Sequence, residues 1–391
     1  MKKALLLIAI LVSISANNIH SQTGNDTLVY LLTCGTGTET YSIYGHSALR
    51  VVIAEKNQDV VFNWGVFDFD TPNFAWKFAK GRLDYMLAAE DLKSFLQVYK
   101  YEKRYVYSQR LNLSNAETSR LIALINENLR PENVKYRYDF FYDDCSTRIR
   151  DLIESAVGEK LLYPPDDGKN SPTFRDMVGK YQDPFPWLKF GIDLIMGSSA
   201  DKDASFRDRM FLPLDLQKEL SETVVNRDGK MIPLLQNPET ILDFDPPVIK
   251  KSILLSPSFV FTAFFIIILI LSALIKEKKM IYWFDIAIYS VFSILAVMMI
   301  FFNFFTDHQQ MRWNLNIIWL NPVIVICLIY IILNKAGTTW FRLLFYTLAV
   351  FLAIHLILPQ SFNIAIIPLV LILLIRCSVR SGFEWNPLSL K

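Results

Sequence analysis

The chain has 391 residues, 52% of them hydrophobic, and a formal net charge of +2. That near balance, with no basic stripe carrying interleaved aromatics, excludes a nucleic-acid footprint. The length suits one ordinary domain with its own core plus a membrane bundle, because the sequence is mixed and charged to about residue 250 and dominated by Ile, Leu, Phe and Val beyond it.

At the N-terminus Lys2 and Lys3 precede an apolar run from Ala4 to Ile14, followed by the small residues Ser15, Ala16 and Ser21. The run is too short to span a bilayer comfortably, which predicts a signal peptide over 1–22, removed by a signal peptidase. Kept as an anchor, it would leave the topology unchanged. No Cys lies near the cleavage region, so the chain is not itself expected to be a lipoprotein.

Residues 23–250 read as a soluble domain. Strands are predicted at Thr27–Thr33, at His46–Ala54 and at Asp59–Phe67, where Val60, Phe62, Trp64 and Val66 alternate with the other face. The link Glu55–Gln58 is short enough for a hairpin. Helices are predicted at 90–99, at 114–129, where Ser114 and Glu117 make a capping box and Pro131 follows the end, and at 145–157. From 160 to 250 the pattern is weak, and the Pro-, Gly- and Asp-rich chain is expected to wrap the domain and lead to the membrane.

Residues 251–391 read as an all-α bundle of about five transmembrane helices, with spans near 253–275, 281–305, 315–334, 340–358 and 361–376. Lys276, Lys278, Lys279, Lys335, Arg342, Arg376 and Arg380 fall in alternate connections, whereas the other loops carry only Arg312. The positive-inside bias therefore puts the soluble domain outside the cytoplasm, as the signal segment does independently. The third span holds Asn314, Asn316, Trp319 and Asn321-Pro322, with Asp307 and His308 just before it. Such polar groups either serve helix packing around a kink or line a site at the membrane surface.

Cys145 follows Asp143-Asp144 and opens an apolar stripe through Ile149, Leu152, Ile153, Ala156 and Val157, with Gly158 as a stop. Asp144 is a natural N-cap. A Cys at a helix N-terminus meets the positive dipole end and unpaired N–H groups, which lower its pKa and offer an oxyanion site. Of four histidines only His46 falls inside the soluble domain, so it is the candidate acid and base for a Cys nucleophile. If the hairpin closes around Asn57, Asp68 sits opposite His46 as a candidate to orient the ring, with Asn63 in reserve. Two other outcomes stand for the thiol: a Cys34–Cys145 disulfide, which an exported domain permits, or a buried inert Cys145. One Cys and one His among scattered carboxylates make no metal-ligand spacing, and no cofactor is implied. Gly45-His46-Ser47-Ala48-Leu49 has Leu where a hydrolase elbow needs its second Gly.

Four stretches carry a resemblance. They are Leu31-Leu32-Thr33-Cys34-Gly35 with Tyr44-Gly45-His46-Ser47-Ala48-Leu49-Arg50-Val51; Phe62-Asn63-Trp64-Gly65 with Phe67-Asp68-Phe69-Asp70-Thr71-Pro72-Asn73-Phe74; Tyr142-Asp143-Asp144-Cys145-Ser146-Thr147-Arg148-Ile149-Arg150-Asp151; and Asn314-Leu315-Asn316 with Trp319-Leu320-Asn321-Pro322. Together they resemble the Bacteroides-type lipoprotein N-acyltransferases, the Lnb family, over nearly the whole chain. The resemblance implies an α+β, circularly permuted papain-like thiol domain, with His ahead of Cys, followed by the membrane helices. It implies a multi-pass protein of a bacterial inner membrane with its soluble domain in the periplasm. The implied reaction moves a fatty acyl chain from a membrane phospholipid to the free α-amine of a diacylglyceryl-cysteine lipoprotein. Cys145 and His46 match the family's motifs. Two other functions compete: a membrane-anchored thiol hydrolase cutting a cell-wall peptide or lipid ester, and a non-enzymatic sensor stapled by a disulfide.

Overall fold

The computed structural model describes residues 27–166, 168–169 and 171–383, so the expected signal peptide lies outside the described residues. Strands β1 (Thr27–Cys34), β2 (His46–Ile53) and β3 (Gln58–Val66) form an antiparallel meander. The short helix α1 (Phe74–Ala79) then leads to β4 (Asp84–Asp91), α2 (Leu92–Glu102), β5 (Val106–Arg110), α3 (Asn115–Asn128), β6 (Lys135–Arg137) and α4 (Cys145–Val157). The tail of the domain, weak in sequence pattern, is built of regular elements. It contributes β7 (Leu161–Leu162), α5 (Phe174–Gln182), α6 (Pro186–Ile195), α7 (Pro213–Ser221), β8 (Val224–Arg227), β9 (Lys230–Pro233) and β10 (Glu239–Leu242). Seven strands make one sheet in the order β10-β5-β1-β2-β3-β4-β6, and β7-β8-β9 make a small second one.

Period-two alternation sorts the strands' side chains onto two faces. Val29, Leu31, Leu49, Val51, Phe62 and Trp64 pack with residues of α3 and α4, whereas Leu32, Cys34, Ala48 and Val61 pack with Phe95, Leu96 and Tyr99 of α2. Helix starts follow from their caps. Ser114 and Glu117 form the expected capping box of α3, and the Asp91 carboxylate takes the amide of Ser94, so α2 begins two residues later than the apolar pattern suggested.

The hairpin register differs from the expected one. Ala54–Lys56 make a 3-10 turn closed by Asn57 in the left-handed region (φ 51°), so the pairs run from Ile53↔Gln58 to Leu49↔Phe62. Continuing that pairing sets position 65, not 68, across from His46. A bulge between Asn63 and Val66 then breaks the β3–β4 ladder, and Gly65, at φ 92°, supplies the conformation it needs.

Beyond residue 250 the chain is helical: α8 (Pro257–Leu274), α9 (Lys278–Phe304), α10 (Val323–Ile332), α11 (Thr338–Ile354) and α12 (Ile366–Arg380). Among the described residues three segments are long and apolar enough to cross a membrane: Pro257–Leu274, Lys278–Phe304 and Leu315–Ile332. The third starts as a 3-10 turn, Leu315–Ile318, before Pro322 and α10. Its asparagines have structural partners. The Asn314 and Asn316 amides both donate to the Leu194 carbonyl in the last turn of α6 (2.8 and 3.0 Å), and the Trp319 indole donates to Asn316 Oδ1 (2.8 Å). Phe190 and Leu194 of α6 belong to the same apolar cluster as Phe292, Trp319 and Phe351, so the two halves share a core at this seam.

Candidate active site

α4 begins at Cys145 because Asp144 caps it. The buried Asp144 carboxylate accepts the amides of Ser146 (2.9 Å) and Thr147 (2.8 Å), while Thr147 Oγ1 accepts the Asp144 amide (2.7 Å). Upstream, Asp139 and Asp143 exchange backbone hydrogen bonds (3.0 and 2.9 Å), and Asp143 holds Arg148 through two contacts (2.6 and 2.9 Å). The loop that presents Cys145 is thus pinned on both sides. Gln310, from the loop after α9, donates to Asp139 Oδ1, which ties that presentation to the helical half.

His46 opens β2 beside this helix start. A Cβ placed on Gly65 would lie 3.8 Å from Cys145 Cβ and 4.0 Å from His46 Cε1, so the glycine leaves a gap that both side chains border. His46 Nε2 stands 2.6 Å from Asn63 Oδ1. In the tautomer that makes this bond Nε2–H donates, which leaves Nδ1 with its lone pair. Asp68, expected as the orienting residue, is instead exposed on the loop after β3, where its Oδ1 accepts the Asp70 amide (2.9 Å). The physical reason is the register: Asp68 lies beyond the end of the paired strands.

The electrostatics also depart from expectation. Burial pushes the Cys145 thiol up, and this outweighs hydrogen bonds from the Ser47 amide, the Ser146 hydroxyl and the amides of Ser146 and Cys145, all of which pull it down. Burial likewise lowers His46 below its usual 6.5, against the opposing pull of Asn63. Both shifts favour the uncharged forms of the pair, opposite in direction to the lowering that the helix dipole alone would give the thiol. Cys34, paired with His46 across β1 and β2, is buried and pushed up to about 12. All four cysteines are free, so the expected alternative of a Cys34–Cys145 disulfide falls.

An open cleft of about 520 Å³ lies alongside, lined by Gly81, Arg82, Tyr138, Asp143, Asp307 and Gln309 among others. Asp307 bonds Arg82 (2.6 Å), and His308 Nε2 lies 2.8 Å from the Phe78 carbonyl, so this expected pair forms a clasp between the halves at the cleft's rim. Sequence reasoning missed Ser47, Gly65 and Gln310. A glycine inside an alternating strand was the available signal for Gly65, whereas nothing local marks Gln310. Among the described residues no group of three or more His, Cys, Asp or Glu could hold a metal ion.

Two family descriptions match the chain: the Lnb N-terminal periplasmic domain over residues 16–175, and the Lnb transmembrane domain over residues 249–384. No curated protein and no solved structure matches it. The first match contains Cys145, His46, Asn63 and Gly65, and the second contains every helix from α8 to α12. A sheet-rich domain bearing the thiol, followed by apolar helices and matched in that order by both descriptions, makes this chain a member of the Lnb family: a membrane protein with a periplasmic domain.

Proposed function

We propose that the protein is a lipoprotein N-acyltransferase of the inner membrane, with a permuted papain-like domain outside five spanning helices and a Cys145–His46 mechanism. The observation that carries this reading is the thiol at the start of α4 bordering the same gap as an imidazole whose Nε2 is held by Asn63. His46 Nδ1 takes the thiol proton as Sγ attacks an ester carbonyl of a membrane phospholipid. The oxyanion is held by backbone amides around the thiol, those of Ser47 and Cys145, because the Ser146 amide is already taken by the Asp144 cap. The lysophospholipid alkoxide leaves with the proton from His46, and the acyl chain stays as a thioester. The α-amine of a diacylated lipoprotein then attacks the thioester, loses its proton to His46, and departs as an amide while the thiol regains that proton.

Burial suits this chemistry. A site of low dielectric strengthens the oxyanion contacts and keeps water from the thioester. Tying the thiol domain to membrane helices brings it to two lipid-anchored substrates without a search through water.

The test is the mass of a lipoprotein's N-terminal peptide from cells relying on this protein as their N-acyltransferase. With the intact protein the peptide carries an added acyl chain, and with Cys145→Ser or His46→Ala the amine stays free. A free amine in cells that express and fold the intact protein overturns the reading and turns attention to thiol-dependent hydrolysis.

A further inference from the structure

The segment after β3 has a composition that water should not tolerate. Phe69, Trp76 and Phe78 are 69%, 57% and 52% exposed, and α1 has no buried residue at all. A six-residue helix has no stability of its own, and a contiguous exposed aromatic patch marks a contact surface. Its place in the molecule says which surface. The Asp307 amide donates to the Lys80 carbonyl (2.9 Å), Thr306 Oγ1 donates to the Ala79 carbonyl (3.2 Å), and the Trp76 ring lies 5.5 Å from Phe301. Phe301 is in the last turn of α9, one of the segments apolar enough to cross a membrane, and Phe304 and Phe305 beside it are also exposed. The patch is therefore continuous with a membrane-facing surface and fixed at the level where that helix ends. Aromatic rings with nearby cations are the composition of the membrane–water interface, and Lys77 and Lys80 supply the cations here.

The rings also form a chain that leads inward. Phe78 stacks with Phe74 (6.2 Å), Phe74 meets Phe67 (5.8 Å) and Phe69 (5.2 Å), Phe67 meets Tyr85 (5.1 Å), and Tyr85 stacks on Tyr138 (4.3 Å). Tyr85 and Tyr138 pack against the apolar cluster that contains Cys145. We propose that residues 67–80 insert into the periplasmic leaflet, and that their ring ladder conducts a fatty acyl chain from that leaflet to Cys145. The occupant is the hydrocarbon of the leaflet's own lipids. The destination of the chain rests on the thiol-acyltransferase reading, and the insertion does not.

The full-length protein carrying Phe69→Cys, labelled with an environment-sensitive fluorophore and reconstituted into phosphatidylethanolamine–phosphatidylglycerol vesicles, tests the first half. The four native cysteines are buried, and unsubstituted protein gives the background. Lipid bearing a nitroxide high on its chain should quench the label at least twofold more than aqueous iodide does. Iodide quenching equal to or above the lipid quenching overturns the insertion. For the second half, Phe69→Ala/Phe74→Ala should lower the ratio of kcat/KM for a long-chain over a short-chain phospholipid donor by about tenfold. Equal losses on both donors overturn the ladder as a path. If the intact protein transfers no chain to any acceptor, the acyltransferase reading fails by itself while the quenching result still decides the insertion.

Discussion

In the proposed mechanism Asn63 determines which nitrogen of His46 is free to meet the thiol. Its Oδ1 also favours the protonated ring, because an acceptor beside Nε2–H stabilises the imidazolium. Asn63→Ala should therefore do two things at once. It should reduce kcat by roughly tenfold or more, since the ring loses its fixed orientation, and it should move the acid limb of the pH–rate profile further down. Under the proposed mechanism the sign follows from the base being needed neutral: burial holds His46 below 6.5, and removing Asn63 deletes a raising influence. A pH series of acyl transfer checks it, and an acid limb moving upward contradicts the assignment. As candidates Cys145 and His46 stood out in the sequence, one from its place at the head of an apolar helical stripe and the other from being the domain's only histidine, and the structure sets both around one gap. Of the two candidates for the ring's partner the reserve, Asn63, meets the ring and Asp68 does not, because a shift in the centre of one turn changes which residue faces which along the whole strand. The direction of the thiol's shift was not legible, since the helix dipole is written in the sequence and the depth of burial is not.

Helix starts were the most readable elements, and they carry measurable stability. Asp144→Ala removes the acceptor of two amides and the hydroxyl of Thr147 at the head of α4, and should cost about 1–2 kcal/mol in denaturant unfolding, with Asp144→Asn costing less. A second element-level link joins α3 to β8. Burial alone would raise Glu117, yet the Arg227 guanidinium and the Ser114 amide and hydroxyl bring it below its usual value. A depressed carboxylate stabilises the fold fully above its unfolded pKa of 4.5, and that contribution fades as the pH falls through the folded value. Arg227→Ala should thus destabilise by about 2–3 kcal/mol at pH 7, by less near pH 3, as followed by unfolding at the two pH values. The meander, α3 and α4 all announce themselves by alternation or by caps. The stretch from 160 to 250 did not, since α6 and α7 begin on prolines, β7 to β10 are four residues or fewer, and their apolar positions answer to distant partners. β10, for instance, is defined by pairing with β5 across more than a hundred residues of chain.

The helical half is held by more than apolar packing. Asp285 of α9 is fully buried and bonds Arg376 (2.7 Å) and Arg380 of α12, and Arg376 reaches Ser272 of α8 (2.8 Å). Asp285→Ala would strand two guanidiniums in an apolar bundle, so thermal unfolding in detergent should show a loss of about 3–5 kcal/mol, whereas Ser272→Ala should be mild. The order of a charged domain and an apolar bundle was readable from composition alone, but the seam between them was not. α6, some sixty residues before the change in composition near residue 250, packs into the bundle's core and has its Leu194 carbonyl met by both Asn314 and Asn316. This has a consequence for heredity. A recombination that joined the periplasmic half of one relative to the helices of another at residue 250 would separate α6 from the asparagines that finish it. Offspring of such a cross would keep this contact only where the two parents' versions of Pro186–Ile195 and Asn314–Asn316 complement each other, so these two short stretches form one packing unit split across the chain.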